Sequence, residues 1–186
     1  MFFSKLINLL PLLAAVGGAT AAKRDIAANT GSNITVYAYG TGISGLPVYA
    51  GTDGLAYVST NPSSDMKPVN WTLARGGQVP WNVTLGSSNS TSTSAIQFYI
   101  VTTADAFEPV GFLNSTSTAP DGAVTTGFTT YGSNVMYIDG STYTSQFWAM
   151  STTETGVWEI MWNESGADQA GSVPVALRTV GPPTIN

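Results

Sequence analysis

Apolar and polar residues alternate with a period of two over many short stretches of this chain. They read NITVYAY (Asn33–Tyr39), LPVYA (Leu46–Ala50), LAYVST (Leu55–Thr60), VNWTLA (Val69–Ala74) and VPWNVTL (Val79–Leu85). Further along come AIQFYIVTT (Ala95–Thr103), EPVGFL (Glu108–Leu113), GFTTY (Gly127–Tyr131), NVMYI (Asn134–Ile138) and VPVALRTV (Val173–Val180). β-Branched and aromatic residues dominate these runs, as strands require. No run after the N-terminal segment carries helical periodicity with caps. Many short strands separated by turn signals indicate a sandwich or barrel. The expected fold is a single all-β domain, an antiparallel β-sandwich of jelly-roll-like form.

The strongest strand pair is QFWAMSTTETGVWEIMWN (Gln146–Asn163), two aromatic-rich runs joined by a polar turn that ends in Gly156. It reads as a β-hairpin. It holds three of the five tryptophans, which places it at the centre of the expected core. Alternation puts Trp158, Ile160 and Trp162 on one face and Val157, Glu159, Met161 and Asn163 on the other. Burial of the tryptophan face predicts that Glu159 and Asn163 point outward. Asp53-Gly54, Asp121-Gly122 and Asp139-Gly140 mark tight turns, because these dipeptides accept a positive φ. The same aspartates lack the spacing of a calcium loop, so no metal is expected. Ser87–Ser94 and Asn114–Pro120 are Ser/Thr-rich and predict exposed loops.

Residues 1–22 break the pattern. Lys5 precedes an apolar run from Leu6 to Val16, and Ala19-Thr20-Ala21 offers a small-residue cleavage site. This is the layout of a secretory signal peptide, and the apolar run is short for a membrane span. Lys23-Arg24 follows as a dibasic processing site, so the mature domain is expected to span residues 25–186. The expected location is extracellular, at or near a cell wall, with no membrane attachment once the leader is removed.

Composition narrows the chemistry. The expected mature chain keeps three cations, Lys67, Arg75 and Arg178, against eleven acids, a formal charge of −8. A nucleic-acid partner needs a basic patch that this chain does not have. There is no histidine and no cysteine. That excludes a Ser-His-Asp triad, a thiol nucleophile and imidazole or thiolate metal sites. No cofactor is expected. Any catalysis would rest on carboxylates, amides or hydroxyls.

Six N-x-[ST] sequons stand at Asn33, Asn70, Asn82, Asn89, Asn114 and Asn163. In a secreted chain each is a candidate glycan acceptor, which must face solvent. In VNWTLA and VPWNVTL, alternation predicts Trp71 and Trp81 inward with Asn70 and Asn82 outward. Gly40-Thr41-Gly42-Ile43-Ser44-Gly45 matches the spacing G-x-G-x-x-G. A dinucleotide site needs a helix at that point, and the β-like run after Pro47 predicts an inter-strand loop instead. Tyr37, Tyr39, Tyr49, Tyr57, Tyr99, Tyr137 and Tyr143 are available for stacking on sugars or for packing in the core and its rim.

Glu159 is the candidate catalytic residue. Its setting, GVWEIMWNE, resembles the nucleophile strand of secreted jelly-roll endoglucanases and the catalytic strand of fungal glutamic peptidases. The first resemblance implies a second carboxyl near the C-terminus, yet no acid follows Asp168, leaving Glu108 or Glu154 as substitutes. The second implies Tyr-Pro after the second aromatic, where this chain has Asn163-Glu164. The leader, the dibasic pair, YGTGISGLPVYAGTDGLAYV and GVWEIMWN with VPVALRTVGP together resemble small cysteine-free secreted proteins of filamentous fungi. That resemblance implies no assigned activity. Three functions remain open: a non-enzymatic cell-wall or host-surface glycoprotein that binds polysaccharide, an acid-active carboxylate hydrolase centred on Glu159, and a structural coat glycoprotein without a ligand.

Overall fold

The structure, a computed structural model, describes residues 31–74, 76–86 and 96–184. The leader, Lys23, Arg24 and Asn89 lie outside the described residues. Fifteen strands and no helix occur among the described residues. The first five are β1 (Tyr37–Gly40), β2 (Ile43–Ala50), β3 (Ala56–Ser59), β4 (Lys67–Thr72) and β5 (Asn82–Leu85). Next come β6 (Ile96–Val101), β7 (Phe107–Pro109), β8 (Gly111–Leu113), β9 (Ala123–Val124) and β10 (Phe128–Tyr131). The last are β11 (Asn134–Asp139), β12 (Thr142–Thr144), β13 (Phe147–Ser151), β14 (Val157–Asn163) and β15 (Ser172–Arg178).

All strand pairs are antiparallel, as the alternation predicts. Their closure differs from the expected sandwich. β1 pairs with both β2 and β15, β15 with β13, β13 with β14, β14 with β3, and β3 with β2. Those six strands close on themselves as a barrel, which leaves no edge within the ring. No jelly-roll order of two facing sheets is evident. A second arm, β4-β5-β6-β8, leaves the ring at β2. It returns where Val110 is wedged between two ring strands. The Val110 N–H donates to Ile160 O, and Val110 O accepts from the Ala56 N–H, both at 2.8 Å.

The segment Gly40–Gly45 is tighter than the expected loop. Thr41-Gly42 alone forms the turn, and β2 already begins at Ile43. Gly45 is the extra residue of a bulge, since Ala38 faces Leu46 while Tyr39 faces Ser44. Its φ of 70° needs glycine, and an added Cβ would meet the Pro182 ring at 2.8 Å. The aspartate-glycine turns behave as read, with φ of 83°, 73° and 57° at Gly54, Gly122 and Gly140.

A large core joins ring and arm, and a smaller cluster of Tyr99, Val101 and Ala106 lies apart from it. Trp71, Trp81 and Trp162 are fully buried in the large core. Phe98 is its hub, with ring centroids 4.9 Å from Trp71, 4.7 Å from Phe128, 6.1 Å from Phe112 and 6.4 Å from Phe147. Phe147 reaches Trp162 at 5.0 Å, edge to face. The central hairpin is present as the antiparallel pair β13 and β14, but only one of its tryptophans reaches the core centre. Trp148 packs on the outer face against Phe107, and Trp158 is half-buried. The arm supplies the other two central tryptophans, Trp71 and Trp81.

Removing the hub ring would strip contacts from four aromatic neighbours at once. Phe98→Ala is expected to cost about 3–5 kcal/mol, read from the urea midpoint at unchanged m-value. A loss of only about 1 kcal/mol, the ordinary size of a point-mutation effect, would show that the ring is not the hub.

Candidate functional site

Glu159 on β14 lies opposite Tyr57 on β3 and Met150 on β13, and Tyr57 lies opposite Tyr49 on β2. Cross-strand partners share a face. The sequence neighbours Val48, Val58, Ala149 and Ile160 are in the core, so this row crosses the outside of the barrel. The outward orientation expected for Glu159 is therefore right in sense, although the side chain is half-buried among its neighbours.

Asp53 joins the row from the β2–β3 turn. Its Oδ2 accepts from the Tyr57 hydroxyl at 2.7 Å, and its Oδ1 accepts from the Leu55 N–H at 3.0 Å. Burial raises the Glu159 carboxyl above its ordinary value, and the charge of Asp53 raises it further. Burial, the hydrogen bond to Asp53 and the charges of Asp53 and Glu159 push the Tyr57 phenol up. Burial and then Asp53, Glu108 and Glu159 do the same for Tyr99. The second acid beside Glu159 is thus Asp53, a residue whose Asp-Gly context reads only as a turn. A carboxyl raised by burial and by a nearby acid is an ingredient of acid–base chemistry. Glu159 lines neither adjoining cavity, however. One, of ≈ 300 Å³, is bounded by Asp53, Tyr57, Asp65 and Glu154; the other, of ≈ 230 Å³, by Asp53, Tyr99 and Asn114.

The orientation expected for Asn163 is corrected. Asn163 is fully buried, as are Val157 and Met161 on the same face. The chain after Asn163 turns back over its own side chain. Its Nδ2 donates to Ala167 O at 2.6 Å, and its Oδ1 accepts from Ser165 Oγ and the Gly166 N–H, both at 3.1 Å. Simple alternation fails here because the turn covers the outer face at the end of β14. Asn33 and Asn114 are exposed, and Asn70 and Asn82 are half-buried. Trp71 and Trp81 point inward as predicted. β4 and β5 interleave two sequons, so that Asn70 faces Thr84 and Thr72 faces Asn82.

A second outer row crosses β10, β11, β15 and β1. Tyr131 faces Asn134, Asn134 faces Arg178, and Arg178 faces Tyr37. The adjoining Thr130, Val135, Leu177 and Ala38 are buried, which puts the row outside. Three strand steps make it about 14 Å long. Tyr131 is 61% exposed. The Arg178 guanidinium lies 5.1 Å from the Tyr39 ring centroid, and the Tyr39 hydroxyl donates to Val180 O at 2.9 Å. No acid among the described residues pairs with Arg178.

The row borders a fork in the sheet. One edge of β15 pairs with β1, and the other pairs with β13 at Ser172–Pro174 and with β11 only at Arg178. Between those contacts β11 and β13 diverge and leave a cavity of ≈ 610 Å³. Met136, Trp148 and Val175 line it beside Asn134, Gln146 and Arg178. The buried Asn134 Oδ1 has no hydrogen-bond partner. Neither Tyr131 nor the Asn134–Arg178 pair stands out in the sequence, because each is an ordinary polar position of an alternating run. No family model, curated protein or solved structure matches this chain.

The raised Glu159 carboxyl sets a pH dependence. Below the unfolded glutamate value of about 4.3 both states hold the proton. As pH rises from there through the raised folded value, the folded state binds more protons than the unfolded one, so stability falls. Glu159→Gln is expected to raise Tm at pH 7 and leave it unchanged at pH 3. Equal shifts at both pH values would disprove the desolvation account.

Asn163 should carry no glycan in folded secreted protein, whereas Asn33 and Asn114 should be occupied. Site mapping by mass spectrometry checks both, and a glycosylated Asn163 would contradict its buried bonding.

Proposed function

We propose that this chain is a secreted, non-enzymatic glycoprotein that acts at a cell wall or host surface by binding carbohydrate. The observation that carries this reading is the outer row Tyr131–Asn134–Arg178–Tyr37. Aromatic rings flank an amide and a guanidinium, all on one face of rigid strands. An aromatic face packs on the C–H side of a sugar ring, while amide and guanidinium groups bond its hydroxyls. Preorganised strands reduce the ordering cost of binding. The leader, the dibasic pair and the dense sequons support secretion and glycosylation.

A hydrolase centred on Glu159 is the second reading. In its favour is the raised carboxyl next to Asp53. Against it stands the position of Glu159 outside the two adjoining cavities.

One experiment separates the two. Recombinant protein is incubated with insoluble chitin, β-glucan and cellulose, and both retention and released reducing sugar are measured. Retention on at least one polymer without sugar release is expected. Sugar release that disappears in Glu159→Gln would move the assignment to the hydrolase.

A further inference from the structure

We infer that the fork between β11, β13 and β15 is a site for an acidic oligosaccharide, its carboxylate held by Arg178. The inference rests on the carbohydrate reading and names the ligand class. Arg178 is an exposed cation without an acidic partner among the described residues, in a chain dominated by acids. A guanidinium pairs bidentately with a carboxylate. The Tyr39 ring beneath it and the Tyr39–Val180 hydrogen bond hold that surface in place. Asn134, its cross-strand neighbour, lines the same cavity, and its buried Oδ1 has no hydrogen-bond partner. The ≈ 610 Å³ cavity beside them has an apolar side, Met136, Trp148 and Val175, suited to the C–H face of a ring. Tyr131 extends the surface by one strand beyond Asn134 and is available to stack on the next residue of the ligand.

The acidic balance of the chain makes this a local interaction. A basic protein would attract any polyanion through its overall field. Here that field repels, and attraction has to come from Arg178 at contact distance. A saccharide carboxylate is therefore separable from a mere negative charge.

The test is calorimetric titration of the full-length secreted protein with pentagalacturonate, its methyl ester and polyglutamate. Pentagalacturonate should bind roughly 10- to 100-fold more tightly than the ester, the factor expected from a charged hydrogen-bonded contact. Polyglutamate should not bind. Arg178→Gln should bring the acid and the ester to equal affinity, and Tyr131→Ala should weaken both. Both positions are at the surface, and unchanged Tm values would establish that the variants fold. Equal binding of acid and ester by the parent overturns the acidic-ligand inference and leaves the carbohydrate reading standing. Binding of polyglutamate as tight as that of pentagalacturonate overturns the saccharide site. If neither saccharide binds and the insoluble polymers also fail to retain the protein, the carbohydrate reading itself falls.

Discussion

The packing of Phe98 against four aromatic rings is the interaction on which the rest of the structure depends. Trp71 and Phe112 come from the arm, Phe147 from the barrel, and Phe128 from the hairpin that follows the arm. Without disulfides, these rings are what join separate groups of strands into one core. Edge-to-face and tilted contacts allow flat side chains to meet at many angles, as packed sheets of different twist require. The ladder alone would not do this, because backbone pairing fixes neighbours in a sheet and not what lies across it.

Charges contribute little to cohesion. Acids cluster on the outside near Asp53 and Glu159, where burial and those charges raise the phenols of Tyr57 and Tyr99. Two buried polar side chains are satisfied by nearby loops, while Trp71 Nε1, Thr130 Oγ1 and Asn134 Oδ1 have no hydrogen-bond partner. Asn163 is held by the loop that follows it, and Trp81 Nε1 donates to Ala74 O at 3.1 Å. This economy of charge makes the exposed Arg178, with no acidic partner among the described residues, conspicuous. The Glu159 carboxyl is raised by burial first and by the charge of Asp53 second.

The barrel surface is smooth where strands stay paired and broken where they diverge. Divergence of β11 from β13 opens the largest of the cavities described, and the same divergence brings Tyr131, Asn134 and Arg178 together at its margin. On one edge of β15 the pairing with β13 ends at Pro174 and the pairing with β11 is confined to Arg178. The Glu159 neighbourhood differs, since it lies on a continuously paired stretch of β3, β14 and β13.

Strand positions, turns and local facing were legible in the sequence because they arise from neighbours a few residues apart. Val69–Ala74 and Val79–Leu85 put Trp71 and Trp81 inward by period-two alternation, and the aspartate-glycine pairs set their turns through φ alone. EPVGFL was legible as strand but not as two short strands split at Val110, because the split follows from Val110 pairing with Ala56 and Ile160. Alternation also misplaced Asn163, since a turn covering one face of a strand has no trace in the strand itself. Glu159 could be singled out from its aromatic context, whereas its partner Asp53 lies 106 positions earlier. Barrel closure, the Phe98 hub and the Tyr131–Asn134–Arg178 row all join residues remote in sequence. Such contacts are selected by how whole strands pack, so the tertiary structure alone decided them.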